Sequence, residues 1–275
     1  MREQGSWRID DANAVAEFRY VPDGAGELVE RLLGRPEEDP ELWESVLIEE
    51  MLRDPAMAGL RSLRLCLTDF HHSARRAAVA LAGRRWERLT DLWFGHEYER
   101  LYQPAITSTG RRIDPLDRLH EGFVGDAGDA MWAALPNLRT LTVEGALLFD
   151  RVVSPSLTSL RLRGVVGSDG SVWPGPLPAL RSLELDIQSD VYGVECPVTQ
   201  LEWLTVSDCP ALRSLDLGRA AFDVSDGGVL ETLAANPIVA QLERLRVADL
   251  DEAVPGGFEH LELTVGAPLD ARRRR

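Results

Sequence analysis

Histidine, cysteine and carboxylate side chains have the widest chemical reach in this chain, yet their spacing arranges none of them for catalysis or metal binding. His71 and His72 are adjacent, while His96, His120 and His260 lie far apart without a His-x-x-x-His or comparable ligand spacing. They read as loop histidines. Cys66, Cys196 and Cys209 are odd in number, scattered and never in a Cys-x-x-Cys pair. That argues against a disulfide frame or a zinc knuckle and for reduced thiols packed in or near turns. The run from Gly164 to Gly170 holds glycines and a serine but neither a Gly-x-Ser-x-Gly elbow nor the strand-then-helix setting of a dinucleotide loop, so it reads as a turn. Asp and Glu are abundant, but no spacing singles out one pair for acid–base work. The expectation is a protein that is not an enzyme, with no catalytic residue, no metal site and no cofactor.

The charged residues narrow the choice further. The chain contains no Lys, so all of its basic side chains other than His are Arg. The phosphate-loop Lys, the pyridoxal Schiff-base Lys and the ATP-anchoring Lys of protein kinases are therefore missing, and those classes are excluded as far as their usual machinery goes. A net charge of -15 argues against nucleic acid as a partner, because phosphate contacts need a positive surface. The run Arg272 to Arg275 is the exception, and at a chain end it reads as a solvated tail. The first residues carry no apolar core of a signal peptide and no long apolar span follows, so the expected setting is cytoplasmic, with no membrane partner.

What the sequence does repeat is a spacing of leucines. Leu60-Leu63-Leu65, Leu138-Leu141-Val143, Leu157-Leu160-Leu162, Leu180-Leu183-Leu185, Leu201-Leu204-Val206, Leu212-Leu215-Leu217 and Leu242-Leu245-Val247 share the form Leu-x-x-Leu-x-Leu or its close variant ending in Val. Leu89-Leu92-Phe94 and Phe258-Leu261-Leu263 are weaker members. The last two apolar residues of each copy are two apart, which sends both to one face of a short strand, while the first lies in the turn leading in. One such strand cannot bury its face alone, so the copies must stack side by side into a shared core and a parallel sheet.

This pattern resembles the leucine-rich-repeat proteins over roughly residues 58 to 265, and more narrowly an uncharacterised actinobacterial family of them. The resemblance implies an α/β fold: an irregular leucine-rich-repeat solenoid, or horseshoe, with a parallel sheet on the inner wall and mixed helical and extended returns. Cys209 completes the family form Leu-x-x-Leu-x-Leu-x-x-Cys, whereas Thr68, Ala146, Val165, Gln188, Ala220 and Leu250 replace the Asn or Cys elsewhere. The runs 125–136 and 226–237 carry helix signals and resemble the convex helices of ribonuclease-inhibitor-type repeats. The copies around Leu160, Leu183 and Leu204 leave room only for extended returns. Leu204 and Leu215 are too close for both copies to join one sheet, and Leu212 to Leu217 is the better strand because a helical return follows it.

The remaining elements frame the repeats. Asp39 to Arg53 reads as a helix with Asp39 as N-cap and Pro40 at its first position. Trp7 to Ile9 and Glu17 to Val21 read as short strands, and with the helix they make residues 1–57 an N-terminal cap. Residues 96–124 interrupt the repeat as an irregular insertion bearing Tyr98 and Tyr102, a candidate contact region or a short helical plug, and 266–275 form a basic tail.

The residues flanking the strand leucines project away from the core, and in leucine-rich-repeat proteins that face is the inner wall. It gathers Trp93, Arg161, Arg163, Glu184, Trp203 and Arg244 as candidate partner-binding residues, Trp and Arg being enriched where interfaces draw their energy. The plain alternative for the charges is that opposite signs pair across neighbouring strands. The implied function is a monomeric, non-catalytic module for protein–protein interaction. Two other classes stay open: an enzyme or enzyme subunit clamping an anionic substrate with Arg, and a regulatory or immunity-type protein that blocks a basic partner.

Overall fold

The computed structural model describes residues 2–69, 72–97, 124–146, 149, 151–165, 173–188, 195–223, 225, 228–248 and 254–266. Tyr98, Tyr102, His71, His120 and the tail from 267 onward lie outside them, as does most of the 96–124 insertion.

The fold is mixed α/β, built on one large sheet that is parallel for most of its width. Its strands are β1 (Arg2–Gln4), β2 (Trp7–Asp10), β3 (Val15–Arg19), β4 (Ser62–Leu67), β5 (Asp91–His96), β6 (Thr140–Ala146), β8 (Ser159–Val165), β10 (Ser182–Gln188), β12 (Ser214–Leu217), β14 (Arg244–Val247) and β15 (Glu262–Val265). They lie side by side in chain order. The pairs β1–β2 and β2–β3 are antiparallel, and every pairing from β3 to β15 is parallel. Short strands in the returns, β7 (Arg151–Val152) with β9 (Trp173–Pro174) and β11 (Cys196–Pro197) with β13 (Phe222–Asp223), form two small parallel pairs.

The leucine spacing explains the register. Leu63, Leu92, Leu141, Leu160, Leu183, Leu215, Leu245 and Leu263 sit opposite one another from β4 to β15, and all but Leu263 are buried. Each interior leucine is in register with a leucine on both neighbouring strands, so burial is shared along the sheet. The leucine opening each copy seals the turn before the strand; Leu60, Leu89, Leu138, Leu157, Leu180, Leu212 and Leu242 are all buried. The Phe258 copy supplies the edge strand β15 but two residues out of the expected register: Leu263, the third apolar residue of its copy, pairs with Leu245, the second of its own, and Leu261, just before the strand, and Leu263 are only partly buried.

Helices pack on the core side. They are α1 (Ala25–Leu33), α2 (Trp43–Arg53), α3 (Ser73–Ala82), α4 (Ala127–Ala134) and α5 (Val229–Ala235). The expected helix after Asp39 is present as a 3-10 turn at Pro40–Leu42 followed by α2, and the Asp39 carboxylate accepts from the Glu41 N–H at 3.0 Å. α4 and α5 fall within the two runs that carry helix signals. Two further helices had not been expected. Left-handed Gly24 and Gly34 bracket α1. In α3 the buried Ala74, Ala77, Ala78 and Leu81 follow the i, i+3, i+4, i+7 spacing of one helical face.

The crowding between Leu204 and Leu215 is resolved in the direction the spacing favours, and the Leu201 copy supplies no strand. Val198–Trp203 forms a 3-10 helix, Leu204 is extended and 206–208 turn, so Leu201 to Val206 is not a strand and β10 pairs directly with β12. The interval to Leu215 is too short for the chain to leave the sheet and return. Leu201 and Leu204 are still buried, and the Asn236 amide donates to both of their carbonyls at 2.9 and 3.0 Å. The copy keeps its hydrophobic role and loses its place in the sheet.

Glycine sets a close approach between β6 and β8. A Cβ on Gly164 would lie 1.7 Å from the Gly145 carbonyl oxygen, so neither strand can keep its position if Gly164 acquires a side chain. No helix among the described residues is long and apolar enough to cross a membrane.

Candidate functional site

The face of the sheet opposite the helices carries three rows of side chains fixed by register. The row nearest the leading ends of the strands holds Ser62, Asp91, Thr140, Ser159, Ser182, Ser214, Arg244 and Glu262. The middle row runs Glu17, Arg64, Trp93, Thr142, Arg161, Glu184, Asp216 and Arg246. The trailing row runs Arg19, Cys66, Gly95, Glu144, Arg163 and Asp186. From β4 to β14 every residue of the first two rows is half-exposed or exposed.

The middle row joins an aromatic platform to a charged stretch. The Arg64 guanidinium lies over the Trp93 ring, 4.3 Å from its centroid, a contact worth about 0.5–1 kcal/mol at an exposed site. Further along, Arg161 Nε is 3.1 Å from Glu184 and Arg246 Nη1 is 3.4 Å from Asp216. Arg161, Glu184, Asp216, Arg219 and Arg246 line a shallow depression of about 250 Å³. Gly218 makes room for one wall, since a Cβ there would meet Arg246 Nε at 2.6 Å.

In the trailing row charges are buried rather than displayed. Arg163 bridges Glu144 at 3.0 Å and Asp186 at 3.1 Å, and the three side chains are 14%, 8% and 5% exposed. Arg161 and Arg219 also approach Asp186, at 3.7 and 4.0 Å. Opposite charges thus pair across neighbouring strands, the plain alternative for Arg161, Arg163 and Glu184, and Arg163 goes beyond it by losing its water.

The expected site residues are brought together only in part. Trp93, Arg161, Glu184 and Arg244 share the exposed sheet face, and Arg163 lies on it but is largely buried. Trp203 does not belong to this face: it ends the Val198–Trp203 3-10 helix in the return segment, 52% exposed. Its absence from the sheet follows from the short interval that displaces the whole copy.

Compared with known proteins, the chain matches no family model, no curated protein and no solved structure.

Among the described residues no cluster of His, Cys, Asp and Glu has the form of a metal site. Cys66, Cys196 and Cys209 are free thiols and buried. Burial pushes Cys196 up to about 12 and Cys209 up to about 11, and it raises Cys66 despite the opposing pull of Arg64 and Arg19. Cys66 belongs to β4 rather than to a turn. His96 is likewise no loop residue: it ends β5 fully buried, with Nε2 3.1 Å from the Asp69 carbonyl oxygen. His260 is the loop histidine expected, its ring nitrogen 3.0 Å from the Val239 carbonyl.

Sequence reasoning missed a second polar node at the trailing ends of the strands. Glu44, fully buried in α2, accepts hydrogen bonds from the Thr68 N–H, the Thr68 hydroxyl and the Asp69 N–H at 2.7, 2.5 and 2.7 Å. Asp69 in turn accepts from the His72 and Ser73 N–H groups at the start of α3. Burial pushes the Glu44 carboxyl up to about 7, aided by the Asp69 charge and opposed by the Thr68 and Asp69 donors. The available signal was the position of Glu44, which stands three, four and seven residues before Leu47, Ile48 and Met51 and so on the apolar face of its helix.

Proposed function

We propose that the chain is an irregular leucine-rich-repeat solenoid that acts as a non-catalytic protein-binding module. In this reading the parallel sheet forms the inner wall of a horseshoe, and helical and extended returns form the outer one. The observation carrying the function is the register itself: a single sheet presents one continuous face with its first two rows accessible from β4 to β14. A large surface held by backbone hydrogen bonds binds without a cost of ordering its own elements.

Trp93, stacked by Arg64, supplies the aromatic anchor. Arg161, Glu184 and Arg244 supply orientation, because exposed charges tune approach and register more than affinity. Arg163 serves by holding β6, β8 and β10 together from below. The fold-level analogy contributes the expectation that the partner is a protein.

The test compares capture of a partner from the native lysate by the wild type, by Trp93→Ala/Arg161→Ala and by Trp203→Ala, each first checked by circular dichroism. A protein held by the wild type and Trp203→Ala but lost by the double variant is the expected result. Equal retention by the double variant would remove the sheet face as the site, and loss confined to Trp203→Ala would place it on the return side.

A further inference from the structure

Immediately before the strands, a chain of shared backbone hydrogen bonds aligns one residue per repeat. The Arg61 carbonyl accepts from the N–H groups of Thr90 and Asp91, that of Thr90 from Arg139 and Thr140, that of Arg139 from Thr158 and Ser159, and that of Thr158 from Arg181 and Ser182. The row along this margin therefore reads Arg61, Thr90, Arg139, Thr158, Arg181, with Arg213 following through the Arg181 carbonyl. The threonines are occupied locally: the Thr90 hydroxyl donates to the Asp91 carboxylate at 2.6 Å, with the Arg61 carbonyl at 3.2 Å, and the Thr158 hydroxyl donates to the Arg139 carbonyl at 3.0 Å.

Arg213 is occupied too, donating to the Pro210 and Leu212 carbonyls and lying 3.9 Å from Glu243, the next residue of the row, but the other three arginines are not. Arg61, Arg139 and Arg181 are exposed, and none has an ion-pair or side-chain hydrogen-bond partner among the described residues. This is unusual in a chain of net charge -15, where carboxylates outnumber cations and most other arginines of the sheet are paired. A cleft of about 340 Å³ at the β4 end of the row is lined by Arg61 and Arg88, with the single carboxylate Asp11 on its wall, all three exposed.

We propose that this row binds an extended acidic polypeptide segment carrying a carboxylate at every third residue. Neighbouring strands are about 4.8 Å apart, so successive arginines of the row stand about 9.6 Å apart. A polyproline II chain repeats every three residues over about 9.3 Å and turns the same face outward each time, which a β-strand does not. The spacing of the free cations thus matches one acid per turn of such a segment. Guanidinium groups suit carboxylates in particular, by their planar pairs of donors. Single-stranded nucleic acid is the weaker fit, because the row offers no aromatic platform for bases and the acidic protein repels a denser polyanion more strongly. The row lies outside the sheet-face residues above and stands whether or not those bind a partner.

The test uses fluorescence anisotropy of the full chain with a labelled (Glu-Pro-Pro)4-Glu peptide, a peptide of the same composition with its glutamates clustered at one end, and a labelled thymidine 15-mer. The expected result is that the spaced peptide binds tightest, with an affinity that falls as salt rises. Arg61→Gln/Arg139→Gln/Arg181→Gln should weaken it at least about tenfold while leaving the circular dichroism spectrum unchanged. Equal binding of the clustered peptide, tighter binding of the oligonucleotide, or no binding of the spaced peptide at low salt would overturn the proposal. Were the triple variant to misfold, Arg139→Gln alone should still weaken binding, and unchanged affinity there would count equally against it.

Discussion

The two ends of the same strands use the same residue types in opposite ways. At the trailing ends charges are dehydrated and paired: Arg163 with Glu144 and Asp186, Glu44 with the donors of Thr68 and Asp69. At the leading ends Arg61, Arg139 and Arg181 are exposed and have no partners among the described residues. The contrast teaches that the worth of an arginine here is set by its row and not by its identity. Arg161 and Arg163 share a strand and a face and are two residues apart, yet one is a third exposed and the other mostly buried.

The largest effect expected from this contrast is on stability at Arg163. Arg163→Met keeps the length of the side chain but leaves Glu144 and Asp186 facing each other with little water, and breaking a buried pair in this way costs about 3–5 kcal/mol. The same change at Arg161, whose side chain and that of Glu184 are 33% and 36% exposed, should cost about 0–1 kcal/mol. Urea denaturation of both variants measures the difference. Equal costs would show that the trailing row is as solvated as the middle one and would erase the distinction between the two ends.

How much of this was legible in the sequence depended on which force placed each residue. Hydrophobic periodicity marked every strand of the large sheet from β4 to β14, because burial of the leucines is what aligns them, and it marked the two faces for the same reason; at the edge, where burial is incomplete, it marked β15 two residues out of register, and it gave no sign of the two-residue strands in the returns. Interval length also carried information: it singled out the crowding between Leu204 and Leu215, and the chain resolved it in favour of Leu212 to Leu217. Nothing local said that Trp203 would leave the sheet with its copy, since its own flanking pattern was that of a strand. Helix α3 escaped notice because its apolar face is mostly alanine, a weak signal in hydropathy though a strong one in spacing. Depth along the strand was the least legible property. The same face-outward parity covers Arg161 and Arg163, and only the neighbouring strands determine that Asp186 and Glu144 close over the second.

A second expected effect, somewhat smaller, is the pH dependence contributed by Glu44. Its folded value of about 7 lies above the ordinary 4.5, so between those values the folded state holds a proton that the unfolded state has released. Its stabilising contribution is fully present below about 4.5 and is lost as pH rises through about 7. The slope is at most about 1.4 kcal/mol per pH unit. The comparison with Glu44→Gln, which cannot titrate, isolates this group from the other carboxylates. The stability of the wild type relative to that variant should fall from pH 4.5 to 7 in urea denaturation series, and a flat difference would show that the Thr68 and Asp69 donors hold Glu44 ionised throughout.

The smallest effect is the one that gives the leading row its meaning. Arg181→Met removes a charge with no partner among the described residues, so the folded state loses no ion pair and no buried group loses its mate. Surface changes of this kind fall within about 0.5 kcal/mol of the wild type. Because the chain is strongly acidic, removing a cation also adds slightly to self-repulsion, and that term should shrink as salt rises. A chemical denaturation midpoint shifted little at low salt and not at all at high salt is therefore expected. A loss of more than about 1 kcal/mol persisting in high salt would mean that Arg181 is held by contacts of the kind seen at Arg163. The arginines of the leading margin would then be structural, and the difference between the two ends of the strands would vanish.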